Sequence, residues 1–124
     1  MIVHLDTSVL VDALSGPRRS FEALVALVEE GHRLSLSSIV LYEWLRGPRT
    51  RDERAAQETL FPSEHATPFG SSEAARAADL YRQVKRPRGR EIDLAIAACA
   101  LSSGAALWTL NASDFRDVPE LSLI

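Results

Sequence analysis

Four carboxylates in this 124-residue chain stand where a folded domain rarely puts them: Asp6, Glu43, Asp93 and Asp114. Asp93 is the one polar residue in the run from Ile92 to Leu101. A helix apolar on every side is expected to be buried, and a carboxylate at its mouth then needs a partner, because burying it unpaired is costly. Asp6 ends the apolar segment Ile2-Val-His-Leu5, Glu43 interrupts Ile39 to Leu45, and Asp114 follows Thr109-Leu-Asn-Ala-Ser113. Each acid has an ordinary reading as a helix cap, a first-turn acid, an exposed stripe or a turn residue. Together they point elsewhere. Strand ends in a parallel sheet converge on one edge, and four carboxylates there repel one another unless a divalent cation sits among them. Hard oxygen donors with no His or Cys beside them suit Mg²⁺ or Mn²⁺ rather than Zn²⁺. His4, His32 and His65 lack metal-ligand spacing and read as structural or exposed.

The elements that must position these acids follow from pattern and punctuation. Ile2–Leu5 reads as a strand, and Thr7 or Ser8 as the cap of a helix from Val9 to Leu14 that Gly16-Pro17 stops. Phe21, Leu24, Val25 and Val28 keep helical spacing within Ser20–Glu30, closed by Gly31. His32–Leu36 resembles a second strand. Ser37 or Ser38 caps a helix over Ile39–Arg46, and Thr50-Arg-Asp-Glu53 has the form of a capping box opening a polar helix to about Leu60. His65–Thr67 reads as a short edge strand, and Ser71 or Ser72 caps a helix to about Arg86. The apolar helix follows, ended by Gly104; Ala105–Leu110 is a buried strand, and Leu121–Ile124 a last edge strand. Strands separated by helices define an α/β fold, with a central, mainly parallel sheet flanked by helices, in a single domain over residues 1–124.

Composition sets the bounds. A chain of this length can bury one hydrophobic core, and 46% apolar with 25% charged residues is ordinary for a soluble globular protein. No apolar run approaches a membrane span. Met1–Asp6 meets an acid without a basic segment, so no signal peptide is expected. The lone Cys99 precludes an internal disulfide, in keeping with a reducing cytoplasm. The net charge of −3 does not by itself announce a nucleic acid partner. Its distribution is more informative: Arg82, Lys85, Arg86, Arg88 and Arg90 crowd into nine positions, and Arg46, Arg49, Arg51 and Arg54 form a second cluster. Thirteen of the 14 basic residues are Arg, the side chain suited to gripping phosphate with two donors. The plainer reading of either cluster is a solvated face.

Four segments carry a family resemblance: Asp6-Thr-Ser-Val-Leu-Val-Asp12, Ser38-Ile-Val-Leu-Tyr-Glu43 through Gly47, Glu91-Ile-Asp93-Leu-Ala-Ile-Ala-Ala98, and Thr109-Leu-Asn111-Ala-Ser-Asp114-Phe115. In this order and spacing they resemble the PIN domain, and within it the VapC-type toxins of bacterial toxin–antitoxin pairs. The resemblance implies a PIN-like fold, an Mg²⁺- or Mn²⁺-dependent endoribonuclease activity on RNA, a homodimer, and a cognate antitoxin that inhibits it. It assigns metal binding and catalysis to Asp6, Glu43, Asp93 and Asp114, with Thr7, Thr109 and Asn111 in support. Relatives place the fourth acid at the position of either Asn111 or Asp114; here only Asp114 ionises. Trp44, Trp108 and Leu110 depart from the residues expected beside these motifs, which bears on the shape of the cleft. The first basic cluster, Arg82 to Arg90, is then expected to hold the RNA backbone beside the acids.

Two rival readings remain. A PIN-like module that binds RNA or protein without cutting would need no acids, yet all four are present. A phosphatase using Asp6 as nucleophile would need a second Asp two residues on as general acid, and Ser8 stands there.

Overall fold

The central strand is β1 (Ile2–Leu5), flanked by β2 (Arg33–Ser35) and β3 (Ala106–Trp108) in a parallel sheet of order β2-β1-β3, in a computed structural model that describes residues 1–124. Val3 lies opposite both Leu34 and Ala106, and Leu5 lies opposite Trp108. The helices are α1 (Thr7–Leu14), α2 (Phe21–Glu29), α3 (Ser38–Arg46), α4 (Arg51–Leu60), α5 (Ser71–Gln83) and α6 (Glu91–Ser102). Single 3-10 turns span Ser63–His65 and Ala112–Asp114. The parallel connections place helices against the sheet, which is why β1 is wholly buried from Val3 to Leu5, His4 included. No helix is long and apolar enough to cross a membrane.

Helix ends follow the expected chemistry in places. The Ser37 hydroxyl accepts from the Val40 amide at 3.2 Å, and Thr50 and Glu53 form the full capping box. Gly104 takes φ +63°, the left-handed turn that lets the chain leave α6 for β3. From Leu94 to Ala100 every residue of α6 is buried, between α5 and the rest of the core. Cys99 lies inside that stretch as a buried free thiol.

Five expectations are corrected. Helix α1 begins at Thr7, so Asp6 rather than Thr7 or Ser8 occupies its N-cap position. The cap of α5 is Gly70, whose amide binds the Glu73 carboxylate, and not a serine. That helix ends at Gln83 instead of about Arg86, because Val84 turns extended and buries its side chain in the core. The two edge strands shrink to single parallel bridges, Ser37 with Thr67 and Leu107 with Leu123. The strand expected over Ala105–Leu110 pairs only from Ala106 to Trp108, because its partner β1 ends at Leu5, opposite Trp108, where Asp6 leads into α1.

Candidate active site

At the carboxyl edge of the sheet, the charges of Asp6, Glu43 and Asp114 all reach Asp93. Asp6 leaves β1 there, its own amide donating to the Trp108 carbonyl at 2.9 Å and so tying the ends of β1 and β3 together. Although Asp6 occupies the N-cap position of α1, its side chain makes no capping hydrogen bond. Instead its Oδ2 accepts from Thr109 Oγ1 at 2.7 Å and from Ser8 Oγ at 2.9 Å. The other oxygen, Oδ1, takes no hydrogen bond from the protein. Two hydroxyls therefore fix the orientation of a nearly buried carboxylate and leave one oxygen available to a ligand. The same hydroxyls hold the loop beyond β3: Ser8 Oγ accepts from the Leu110 amide and Thr109 Oγ1 from the Asn111 amide.

Glu43 reaches the edge from α3. Thr7 Oγ1 donates to its Oε1 at 2.6 Å, and Arg46 stands 3.4 Å from its Oε2. Its neighbour Trp44 points the opposite way, fully buried, with the Arg49 guanidinium stacked 4.3 Å from the ring centre. Of the three departures from the motifs, Trp44 belongs to the core. Leu110 is exposed on the rim, where it lines an open groove of about 400 Å³ with Thr7, Ser8, Val11, Asp12 and Ser15. Trp108 is only partly covered at the end of β3.

Asp93 lies in the first turn of α6 and accepts no hydrogen bond from the protein. Burial pushes its carboxyl up to about 6, and the charges of Asp6, Asp114 and Glu43 push the same way, against the pull of Arg90. That pattern answers the cap reading, because a carboxylate held by a helix start would be stabilised in its charged form. Asp114 is exposed at the end of the Ala112–Asp114 turn, and its charge reaches Asp93. Asn111 is exposed, and only its backbone amide is engaged.

The donor set suits a hard divalent cation: carboxylate oxygens, Asp6 with one oxygen free, and Asp93 and Asp114 with no protein hydrogen bonds on theirs. No three acidic, histidine or cysteine side chains close into a ready-made ligand set. The fit rests on charge and oxygen chemistry, not on a preformed cage.

A stability measurement separates a mutually repelling cluster from helix caps. Between 3.8 and about 6 the folded chain keeps a proton on Asp93 that the unfolded chain releases, so stability falls as pH rises through that window. Asp93 is partly open to solvent, and after screening the penalty is on the order of 1–2 kcal/mol. In EDTA at pH 7.5, Asp93→Asn should melt roughly 3–8 °C above wild type, and the gap should close near pH 4. A variant that melts lower at pH 7.5 would mark Asp93 as a cap.

The basic segment divides. Lys85, Arg86 and Arg88 are exposed and make no ion pair. Arg82 pairs with Asp79 one turn back on α5, and Arg90 pairs with Asp117. The sequence reading missed Ser8 as a partner of Asp6. Its signal was present in Asp6-Thr7-Ser8, where a hydroxyl two residues after an acid can bond back to it.

A parallel α/β sheet whose strand ends carry carboxylates and supporting hydroxyls defines a domain with an acidic edge. The chain belongs to the PIN domain family, whose model matches residues 3–121. It is 30% identical over 124 residues to Ribonuclease VapC19 of Mycobacterium tuberculosis, with 94% of each chain covered. Solved structures share the fold. VapBC2 from Rickettsia felis, bound to a DNA fragment from its promoter, aligns with a TM-score of 0.76 at 22% identity, covering 100% of this chain and 98% of that one. VapBC-1 from nontypeable Haemophilus influenzae aligns at 0.72 with 24% identity, covering 100% and 97%.

Proposed function

We propose that this single PIN-like domain is a divalent-metal-dependent endoribonuclease that hydrolyses phosphodiester bonds in RNA. We further propose that it is the toxin of a VapBC-type pair, acting in the cytoplasm as a homodimer and restrained by a cognate antitoxin protein. The observation that carries the reading is the placing of Asp6, Glu43 and Asp114 near Asp93, whose carboxyl is raised first by burial and further by their charges. The 30% identity to a ribonuclease along almost the whole chain supports the same activity. Asp6, Asp93 and Asp114 are the metal-holding acids, with Glu43 completing the set.

Bound at these acids, Mg²⁺ or Mn²⁺ would polarise the scissile phosphate and lower the pKa of a coordinated water. The chain's own residues do the rest. Thr109 and Ser8 hold Asp6 in one orientation, so that its free oxygen faces the cleft. Thr7 at Oε1 and Arg46 at Oε2 hold Glu43 in place, where it completes the acidic set or orients the attacking water. Lys85, Arg86 and Arg88 offer free positive charge just ahead of α6, where an RNA backbone would otherwise meet only acids. The antitoxin can inhibit by placing an Arg among the carboxylates, the pairing that suits planar charged oxygens.

The direct test is purified, antitoxin-free protein with structured RNA. Cleavage should require Mg²⁺ or Mn²⁺ and cease in EDTA; undiminished cleavage in EDTA overturns the reading. The absence of a closed ligand set favours a second reading, a module that binds RNA without cutting it. That module would bind RNA equally with and without metal and leave it intact. Under either reading, replacing Arg86 and Arg88 by Ala should flatten the slope of log affinity against log salt by about 1.5. An unchanged slope would make those arginines a solvated face.

A further inference from the structure

We infer that Arg90 is a positioning residue: through Asp117 it clamps the turn that carries Asp114, and so sets where Asp114 stands relative to Asp93. The inference rests on the nuclease reading, because it concerns the same acids.

Arg90 is the N-cap residue of α6, three positions before Asp93. Its side chain is 20% exposed, unlike the free Arg86 and Arg88 beside it. Nη1 donates to Asp117 Oδ2 at 2.9 Å and Nη2 to Asp117 Oδ1 at 2.6 Å, the two-pronged geometry in which a guanidinium grips a carboxylate most firmly. Nη2 also donates to the Asp114 carbonyl at 2.8 Å. One side chain thus holds both the last residue of the 3-10 turn and the acid three residues beyond it.

The clamp is the only hydrogen-bonded tie between this turn and the start of α6. The turn closes on itself through Asp114 N to the Asn111 carbonyl and Phe115 N to the Ala112 carbonyl. Its base is sunk in the core by Phe115 and Val118, while Asp114 itself is exposed. Without Arg90, nothing polar fixes the distance from the exposed acid to the buried helix that carries Asp93. A carboxylate waiting for a metal cannot supply that tie, since its oxygens must stay open. The structure assigns the task to a neighbouring carbonyl and a second acid outside the cluster.

Arg90→Ala, Arg90→Lys and Asp117→Ala separate this role from a direct grip on RNA phosphate. In the full-length protein, Mn²⁺ affinity is read from the rise in melting temperature during a Mn²⁺ titration, and RNA affinity is read in EDTA. A positioning role predicts that Arg90→Ala and Asp117→Ala each weaken Mn²⁺ binding about tenfold or more. Arg90→Lys, which keeps the charge but not the fork, should rescue little. Amide exchange at Asp114 and Phe115, measured in EDTA, should quicken in both alanine variants. A phosphate contact predicts the opposite for Asp117→Ala: a freed Arg90, tighter RNA binding and unchanged Mn²⁺ affinity, and that result overturns the inference. Unchanged exchange at 114–115 overturns it too. A wild type whose melting is indifferent to Mn²⁺ would instead sink the nuclease reading, while the exchange rates still judge the clamp.

Discussion

Asp93→Asn and Asp6→Asn should each cut metal-dependent RNA cleavage by more than about a hundredfold, given that losing even an outer partner of a metal ligand costs tenfold to a hundredfold. The amide keeps the shape of the carboxylate but carries no charge for a cation to bind. At Asp6 the substitution is well tolerated by the surroundings, because the Ser8 and Thr109 hydroxyls can accept as readily as donate. At Asp93 it relieves repulsion, so the variant should be the more stable protein in EDTA. Loss of activity in a protein that melts higher leaves unfolding no part in the explanation. The measurement is initial cleavage rate at saturating Mn²⁺, beside a melt of the same preparation. Activity within tenfold of wild type in either variant would remove that acid from the catalytic set.

Acid should weaken the fold through His4, at the centre of the sheet. His4 is 1% exposed; its Nδ1 has no hydrogen-bond partner, and Nε2 lies 3.5 Å from Thr67 Oγ1. Burial lowers its pKa from 6.5 to about 4, because a charged imidazole there would lose its hydration without gaining an opposite charge. The unfolded chain takes up a proton below pH 6.5 that the folded chain refuses until about pH 4. The stability tied to this group is complete above 6.5 and drains as pH falls, by about 3 kcal/mol over the window. Asp93 works against it, since acid neutralises a carboxylate that the fold prefers uncharged. Wild type therefore understates both effects. Denaturant unfolding of wild type and His4→Leu at pH 7 and pH 4 separates them: the difference between the two proteins should shift by about 3 kcal/mol in favour of the variant at pH 4. A pH-independent difference would mean that His4 finds a partner when charged.

Much of this is readable in the sequence. An apolar stretch with one acid announces a buried helix and a special carboxylate, and Ile2–Leu5 ending at Asp6 announces a strand delivering another. These signals survive because they depend on burial, which local composition reports directly. Boundaries were less legible. Val84 leaves α5 in an extended conformation and packs into the core, a tertiary contact that nothing nearby in sequence announces. β3 stops at Trp108 because β1, far away in sequence, ends opposite it at Leu5. The basic cluster was half legible: Asp79 stands one turn before Arg82, a spacing the sequence shows, but only tertiary placement shows Arg90 already engaged.

The encasement of α6 bears on how such a protein can change over generations. Seven successive positions, Leu94 to Ala100, have almost no contact with water, and four of them are alanine. A larger side chain at Ala97 or Ala98 would overpack the interior at a cost of about 1–3 kcal/mol, a large share of a small domain's margin. Random drift is therefore barred from the helix that carries Asp93. It remains open on the exposed rim, at Lys85, Arg86, Arg88, Leu110 and Ser113. Descendants that acquire a new target should have rewritten that rim, while the floor beneath it keeps its alanines.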